Sequence, residues 1–127
     1  MDKLVLTLLP HLYGVYRLDS DAVIDFPEDP EGGFISVTRT VEELSVVCRE
    51  ELLPLNCTQE KGFRLFKVEG PLDFSLTGIL ASLLNPLAVA GIAVFTLSTY
   101  DTDYLMIKAG KLDEAIGALG TIAKIAH

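Results

Sequence analysis

Between Phe74 and Tyr100 the chain carries no charged residue, a run longer than the roughly 20 residues a transmembrane helix needs. Such a run must be withdrawn from water, either into lipid or into a protein core. Its punctuation points to a core. Asn85-Pro86 and Gly91 interrupt it, and its flanks are Asp73 and Asp101/Asp103 rather than Lys or Arg. The apolar period also changes along it. Leu72, Leu76, Ile79, Leu80, Leu83, Leu84 and Leu87 recur at intervals of three and four, which predicts an amphipathic helix starting near Asp73 as cap. Pro86 either ends that helix near Leu84 or kinks it, and Gly91 is placed just past its end. Ile92 to Leu97 then reads as a buried strand, Ser98 to Asp103 as a polar connection, and Tyr104 to Lys108 as the returning strand.

The neighbouring segments extend this pattern. Phe63 to Val68 suits a largely buried strand, closed by Gly70-Pro71. After Gly110, residues Leu112, Ala115, Ile116, Leu119, Ala123 and Ala126 share one helical face, with Asp113/Glu114 near the start and Lys124 near the end. From Phe63 the order is thus β, α, β, β, α, a ferredoxin-like α+β layer without its last strand. The N-terminal half or a partner chain would supply that strand.

In the N-terminal half, Leu4 to Leu9 and Val15 to Leu18 flank Pro10 and Gly14 and read as two short strands or one bent strand. Asp19 to Gly33 is rich in Asp, Pro and Gly and reads as loop, and Phe34 to Thr38 alternates like a strand. Val41 to Cys48 is locally ambiguous, because Thr40-x-x-Glu43 imitates a helix capping box while Ser45-Val46-Val47-Cys48 is β-prone. An internal comparison favours strand. Ser36 to Val47 set above Thr96 to Ile107, sixty residues on, matches in its β-prone, polar, acidic and apolar positions. A generic hairpin likeness is the alternative to duplication. The expected organisation is an abbreviated half over residues 1–60 and a fuller one over 61–127.

Composition narrows function. Hydrophobic residues make up 50% of the chain, which excludes disorder driven by weak hydrophobicity. Ten Lys and Arg against 18 Asp and Glu leave a net charge of −8, a field that repels nucleic acid. Cys48 and Cys57 are expected as free thiols, and Met1-Asp2-Lys3 does not open a signal peptide, so a cytoplasmic protein is expected. His11 and His127 belong to no Ser-His-Asp, Cys-His or metal-ligand set, and no glycine pattern makes a phosphate loop. Asp101 and Asp103, two apart, could point the same way from a strand as a catalytic pair or hard-metal ligands, but two carboxylates are too few to carry that reading. Catalysis, metal and cofactor are therefore not expected.

Leu83-x-x-Pro86-Leu87-Ala88-x-Ala90-Gly91-Ile92 and Leu97-Ser98-Thr99-Tyr100-Asp101-Thr102-Asp103-Tyr104-Leu105 resemble the ACT domains, small amino-acid-sensing modules of βαββαβ plan. The closest likeness is to the branch with aspartate kinase regulatory halves and the Castor-type arginine sensors. It covers residues 63–126, and the first half joins only through the repeat over Phe34 to Cys48. Two departures from the family are expected: no attached catalytic domain, and a Pro/Gly/acid loop where the first helix of the first copy would stand. The resemblance implies tandem ACT-like repeats, an antiparallel sheet with helices on one face, pairing as a homodimer, and occupancy reported to another protein.

The residues support an amino-acid site on their own terms. A free amino acid presents a carboxylate that seeks N–H groups and an ammonium that seeks carbonyls or carboxylates. The turn from Asn85 through Ala90, Gly91 and Ile92 offers backbone groups, and Ser98, Thr99, Tyr100, Asp101, Thr102 and Asp103 offer hydroxyls and carboxylates. Thr38, Arg39 and Thr40 stand as the repeat's counterparts of Ser98, Thr99 and Tyr100 and would close the pocket from the other half. An acidic wall favours a basic side chain. A plain helix stop at Gly91 and a solvated turn at Asp101/Asp103 are the alternatives. The expected function is non-catalytic binding of a free amino acid, with a homo-oligomeric interaction module lacking any small ligand as the alternative.

Overall fold

A computed structural model describes residues 4–25, 28–52, 56–70 and 78–127. Its elements are β1 (Leu4–Leu18), β2 (Ser36–Arg39), β3 (Leu44–Arg49), β4 (Thr58–Val68), α1 (Ile79–Val89), β5 (Phe95–Ser98), β6 (Asp103–Lys108), α2 (Leu112–Leu119) and β7 (Ala123–Ala126). The chain divides into two compact units, one of residues 11–62 and one of 63–127 together with the N-terminal segment through Pro10. The first part of β1 thus sits with the C-terminal strands, and the chain passes between the units twice, within β1 and within β4. Both strands that pass from one unit to the other carry a left-handed residue there, His11 at φ 79° and Gly62 at φ 83°. Only Gly62 has the freedom of a missing Cβ.

In the C-terminal unit the strand order is β7, β1, β4, β6, β5. β4 and β6 pair antiparallel with Phe66 opposite Leu105, and β5 and β6 with Ser98 opposite Asp103. Leu6 and Leu8 of β1, Phe66 and Val68 of β4, and Leu105 and Ile107 of β6 join Leu83 and Leu87 of α1 and Ala115 and Leu119 of α2 in one buried core. Both helices therefore lie on one sheet face, as the βαββαβ plan requires. Burying each of these leucines contributes about 1.5–3 kcal/mol.

Three sequence expectations change here. The last helix stops at Leu119, and Ala123 to Ala126 form β7, parallel to β1 with Leu4 opposite Ala123. Gly120 ends the helix, and buried Ala123 followed by exposed Lys124 suits a strand as well as a helix; Lys124 thus supports no helix end. The strand thought missing is present as β7, with β1 between it and β4. Ile92 to Leu97 is not one buried strand: β5 is Phe95–Ser98 at the sheet edge and mostly exposed. Of the two alternatives at Pro86 the helix is the one that continues, α1 running through it to Val89. The proposed Asp73 cap lies outside the described residues, and Gly78 precedes the helix with φ 80°.

In the unit of residues 11–62, β2 pairs with β3 and β3 with β1. Tyr16, Leu44, Val46 and Cys48 form its core, with Ile24, Ile35, Val37 and Cys57 packed around them. Gly14 makes room for Tyr16, since a Cβ there would lie 2.5 Å from the Tyr16 hydroxyl oxygen. The loop is tied down by one buried ion pair. Arg49 Nε and Nη2 donate to Asp29 Oδ2 and Oδ1 at 2.6 and 2.7 Å, and a Cβ on Gly33 would collide with that carboxylate.

The two hairpins repeat one another. Thr40 N–H donates to the Glu43 carbonyl at 2.9 Å and Thr99 N–H to the Thr102 carbonyl at 2.8 Å. In each turn the threonine hydroxyl also accepts the N–H three residues on, at 3.1 and 3.3 Å. Arg39 faces Leu44 as Ser98 faces Asp103, so the structural offset is 59 rather than 60. This corrects the counterparts by one residue: Arg39 matches Ser98, Thr40 matches Thr99, and Val41, 93% exposed, matches Tyr100, 81% exposed. The capping-box look of Thr40-x-x-Glu43 is this turn.

Candidate functional site

Thr102 fixes the β5–β6 hairpin to the end of β4. Its side chain is buried, and its hydroxyl donates to the Val68 carbonyl at 2.6 Å. Between hairpin and strand end lies a cleft of about 170 Å³ lined by Lys67, Gly70, Thr99, Asp101, Thr102 and Tyr104. Lys67 faces Tyr104 across the β4–β6 pairing. Its ammonium stands 3.7 Å from the Glu69 carboxylate, which also accepts the Thr7 hydroxyl at 2.6 Å. The cleft thus holds a cation on one strand, the exposed carboxylate of Asp101 on the turn, and the hydroxyl-bearing residues Thr99 and Tyr104.

Of the residues singled out from sequence, this cleft gathers Thr99, Asp101 and Thr102. Thr102 contributes as a brace, its hydroxyl turned to Val68. Ser98 donates its hydroxyl to Asp103, so those two engage each other. Tyr100 sits on the exposed tip. The helix end is different from what its sequence suggested. The N–H groups of Ala90, Gly91 and Ile92 donate to the carbonyls of Pro86, Ala88 and Leu87 at 3.1, 3.0 and 2.9 Å, with Gly91 at φ 74°. This closed C-terminal cap has no N–H left over for a carboxylate. Asn85 is exposed on α1, and neither it nor the cap lines the cleft. Lys67 escaped notice because its place beside the cleft depends on strand register. The available signal was its polar side chain in the otherwise apolar Leu65-Phe66-Lys67-Val68.

Thr38, Arg39 and Thr40 belong to the other unit and its own hairpin. Arg39 donates to the carbonyls of Ser20 and, at 2.8 Å, Ala22. That unit also has a broader, more open hollow of about 360 Å³ lined by Arg17, Leu18, Asp19, Asp21, Ala22, Asn56, Cys57 and Thr58. It too sets a cation, Arg17, beside carboxylates, Asp19 and Asp21, and a hydroxyl, Thr58, but as a shallow surface, whereas the smaller cleft is the more enclosed of the two. Hydrogen bonding to Arg49 holds the Asp29 carboxyl down at about 2, and burial pushes the Cys48 thiol up to about 11. Among the described residues no group of three or more His, Cys, Asp or Glu is placed to hold a metal. None of their helices is long and apolar enough to cross a membrane.

Comparison with known proteins agrees with this architecture. The ACT domain family model matches residues 58–121, and a second model, for an N-terminal domain, matches residues 11–56. A crystallised protein from Agobacterium tumefaciens is 34% identical, with TM-score 0.87 over 98% of this chain and 93% of that one. The regulatory subunit of aspartate kinase from Thermus thermophilus shares the fold at TM-score 0.60 and 12% identity, over 92% of this chain and 95% of that one. The cytosolic arginine sensor for mTORC1 subunit 1 of Pongo abelii is 26% identical over 121 residues, 89% of this chain. The chain spans only 37% of that relative's length. With the matching model covering half its length and the helices and strands laid out on the βαββαβ plan, the chain belongs to the ACT domain family.

Proposed function

We propose that the cleft between β4 and the β5–β6 hairpin binds a free amino acid and that the protein is a non-catalytic, cytoplasmic regulator. The observation that carries this reading is the meeting of Lys67, Asp101 and Thr99 around about 170 Å³. Lys67 supplies an N–H donor for the α-carboxylate, and Asp101 an acceptor for the α-ammonium. The volume corresponds to roughly five or six waters, smaller than the roughly 300–1,000 Å³ of drug-sized pockets. Asp101 favours a basic side chain in its vicinity, and the arginine sensor among the relatives makes arginine the first ligand to try. Occupancy then shifts a homodimer or a listening protein through preference for one state.

Calorimetry with each of the twenty amino acids tests this. One chemical group of amino acids should bind, and Asp101→Asn and Lys67→Met should each weaken it. Loss of a charged hydrogen bond of about 1.5–3 kcal/mol corresponds to roughly 10- to 150-fold in affinity. A flat panel refutes the reading. One observation favours the interaction module instead: β5 is an exposed sheet edge with Phe95 37% exposed and Tyr100 on its tip 81% exposed, and such an edge pairs readily with a second copy. That reading predicts a dimer indifferent to amino acids.

A further inference from the structure

The repeated hairpins allow the two units to be compared position by position. Arg17 faces Ser45, and Lys67 faces Tyr104. Ser45 and Tyr104 are themselves equivalent under the offset of 59, as are their partners Thr38 and Leu97. Arg17 therefore stands in its unit where Lys67 stands in the other. Their surroundings differ in one respect. Arg17 Nη2 donates to the carbonyl of Glu42 at 3.0 Å, and Glu42 is the equivalent of Asp101. Arg39, the equivalent of Ser98, donates to the carbonyls of Ser20 and Ala22. Arg17 thus reaches across one hairpin end while Arg39 ties its strand to the Ser20–Ala22 segment, whereas the other end carries the shorter Lys67 ammonium and the Ser98 hydroxyl and has a cleft beside its turn.

We propose that the hairpin end at Thr40–Glu43 is a guanidinium-accepting site that the chain fills with its own Arg17, while the matching end of the other unit, beside Lys67, is left for a ligand. The planar guanidinium suits this place because its several N–H donors can meet a turn carbonyl while the charge stays near Glu42 and Glu43. A lysine at position 17 would bring a point charge with different reach and donor geometry. Removing Arg17 should uncover the site for an external guanidinium. That the Lys67 end takes a ligand rests on the amino-acid reading of the Lys67–Asp101 cleft; the masking itself does not.

The experiment uses the full chain and methylguanidinium as probe, with methylammonium at equal ionic strength as control. Backbone amide signals of residues 40–43 are followed by nuclear magnetic resonance in the native protein, in Arg17→Ala and in Arg17→Lys. Arg17 is exposed, so its removal should leave the fold intact. Methylguanidinium should move those amides in Arg17→Ala at concentrations at least tenfold lower than in the native protein, and methylammonium should not. Arg17→Lys should fall between the two variants and thus show whether the guanidinium plane matters beyond charge. Equal responses in native and Arg17→Ala protein, or none in Arg17→Ala, overturn the proposal. Failure of the amino-acid reading shows separately, as a lack of response at Thr99 to Tyr104 when amino acids are added to the native protein.

Discussion

Replacing Thr102 by valine removes one hydroxyl and leaves the side-chain shape nearly unchanged. That hydroxyl donates at 2.6 Å to the Val68 carbonyl from a side chain only 5% exposed, and it ties the hairpin to the end of β4. Losing a buried hydrogen bond of this kind costs about 1–2 kcal/mol, part of it from stripping the carbonyl of a partner. For a chain of 127 residues, each kcal/mol moves the unfolding midpoint by roughly 3–6 °C, so Thr102→Val should melt about 3–12 °C lower. Thr102→Ser keeps the donor and loses one buried methyl, about 0.8 kcal/mol, and should fall between. Calorimetric or circular-dichroism melting of the three proteins, with urea titrations at equal slope, is the assay. If Thr102→Val melts with the native protein, or Thr102→Ser proves the worse of the pair, the hydroxyl does not hold this hairpin.

Gly14→Ala should destabilise by about 1–3 kcal/mol, since its Cβ meets the Tyr16 hydroxyl at 2.5 Å in a packed core; urea midpoints measure this. The Asp29 carboxyl, held at about 2 by Arg49, lies below its unfolded value near 3.9. The pair's contribution is thus complete above about pH 4 and disappears as pH falls toward 2. Stability curves should accordingly show a smaller fall over that window in Asp29→Asn than in the native protein. With burial raising the Cys48 thiol to about 11, iodoacetamide at pH 8 should label Cys57 and reach Cys48 only after unfolding. Equal labelling of both thiols in the native protein contradicts the buried position of Cys48.

The sequence carried the C-terminal layer well because its signals are local. Leu83 and Leu87 keep helical spacing on α1, Gly91 takes the left-handed position of a helix stop, and Thr99 and Thr102 close a turn through their own side chain and backbone. The failures are those of position across the sheet. Ala123 and Ala126 fit a helix face as readily as a strand, and only the partner β1 decides. The hairpin repeat was visible, yet its offset was displaced by one residue because side-chain character is less exact than cross-strand pairing. Of the residues lining the cleft, Asp101 and Thr99 were legible from a polar turn between apolar strands. Lys67 was not, since its place opposite Tyr104 exists only once β4 and β6 are in register. Ala90, Gly91 and Ile92 lie away from the cleft with their N–H groups engaged for a physical reason: a helix end has unsatisfied carbonyls to close upon, and its N–H groups are taken first.

The most direct test of the amino-acid reading is an amide chemical-shift titration of the native protein with the basic, acidic and apolar amino acids. The account predicts saturable shifts at Lys67, Gly70 and Thr99 to Tyr104 for one chemical group of ligands, lost in Asp101→Asn. No shift with any amino acid at millimolar concentration, or shifts centred on Asn85 to Ile92, would contradict it.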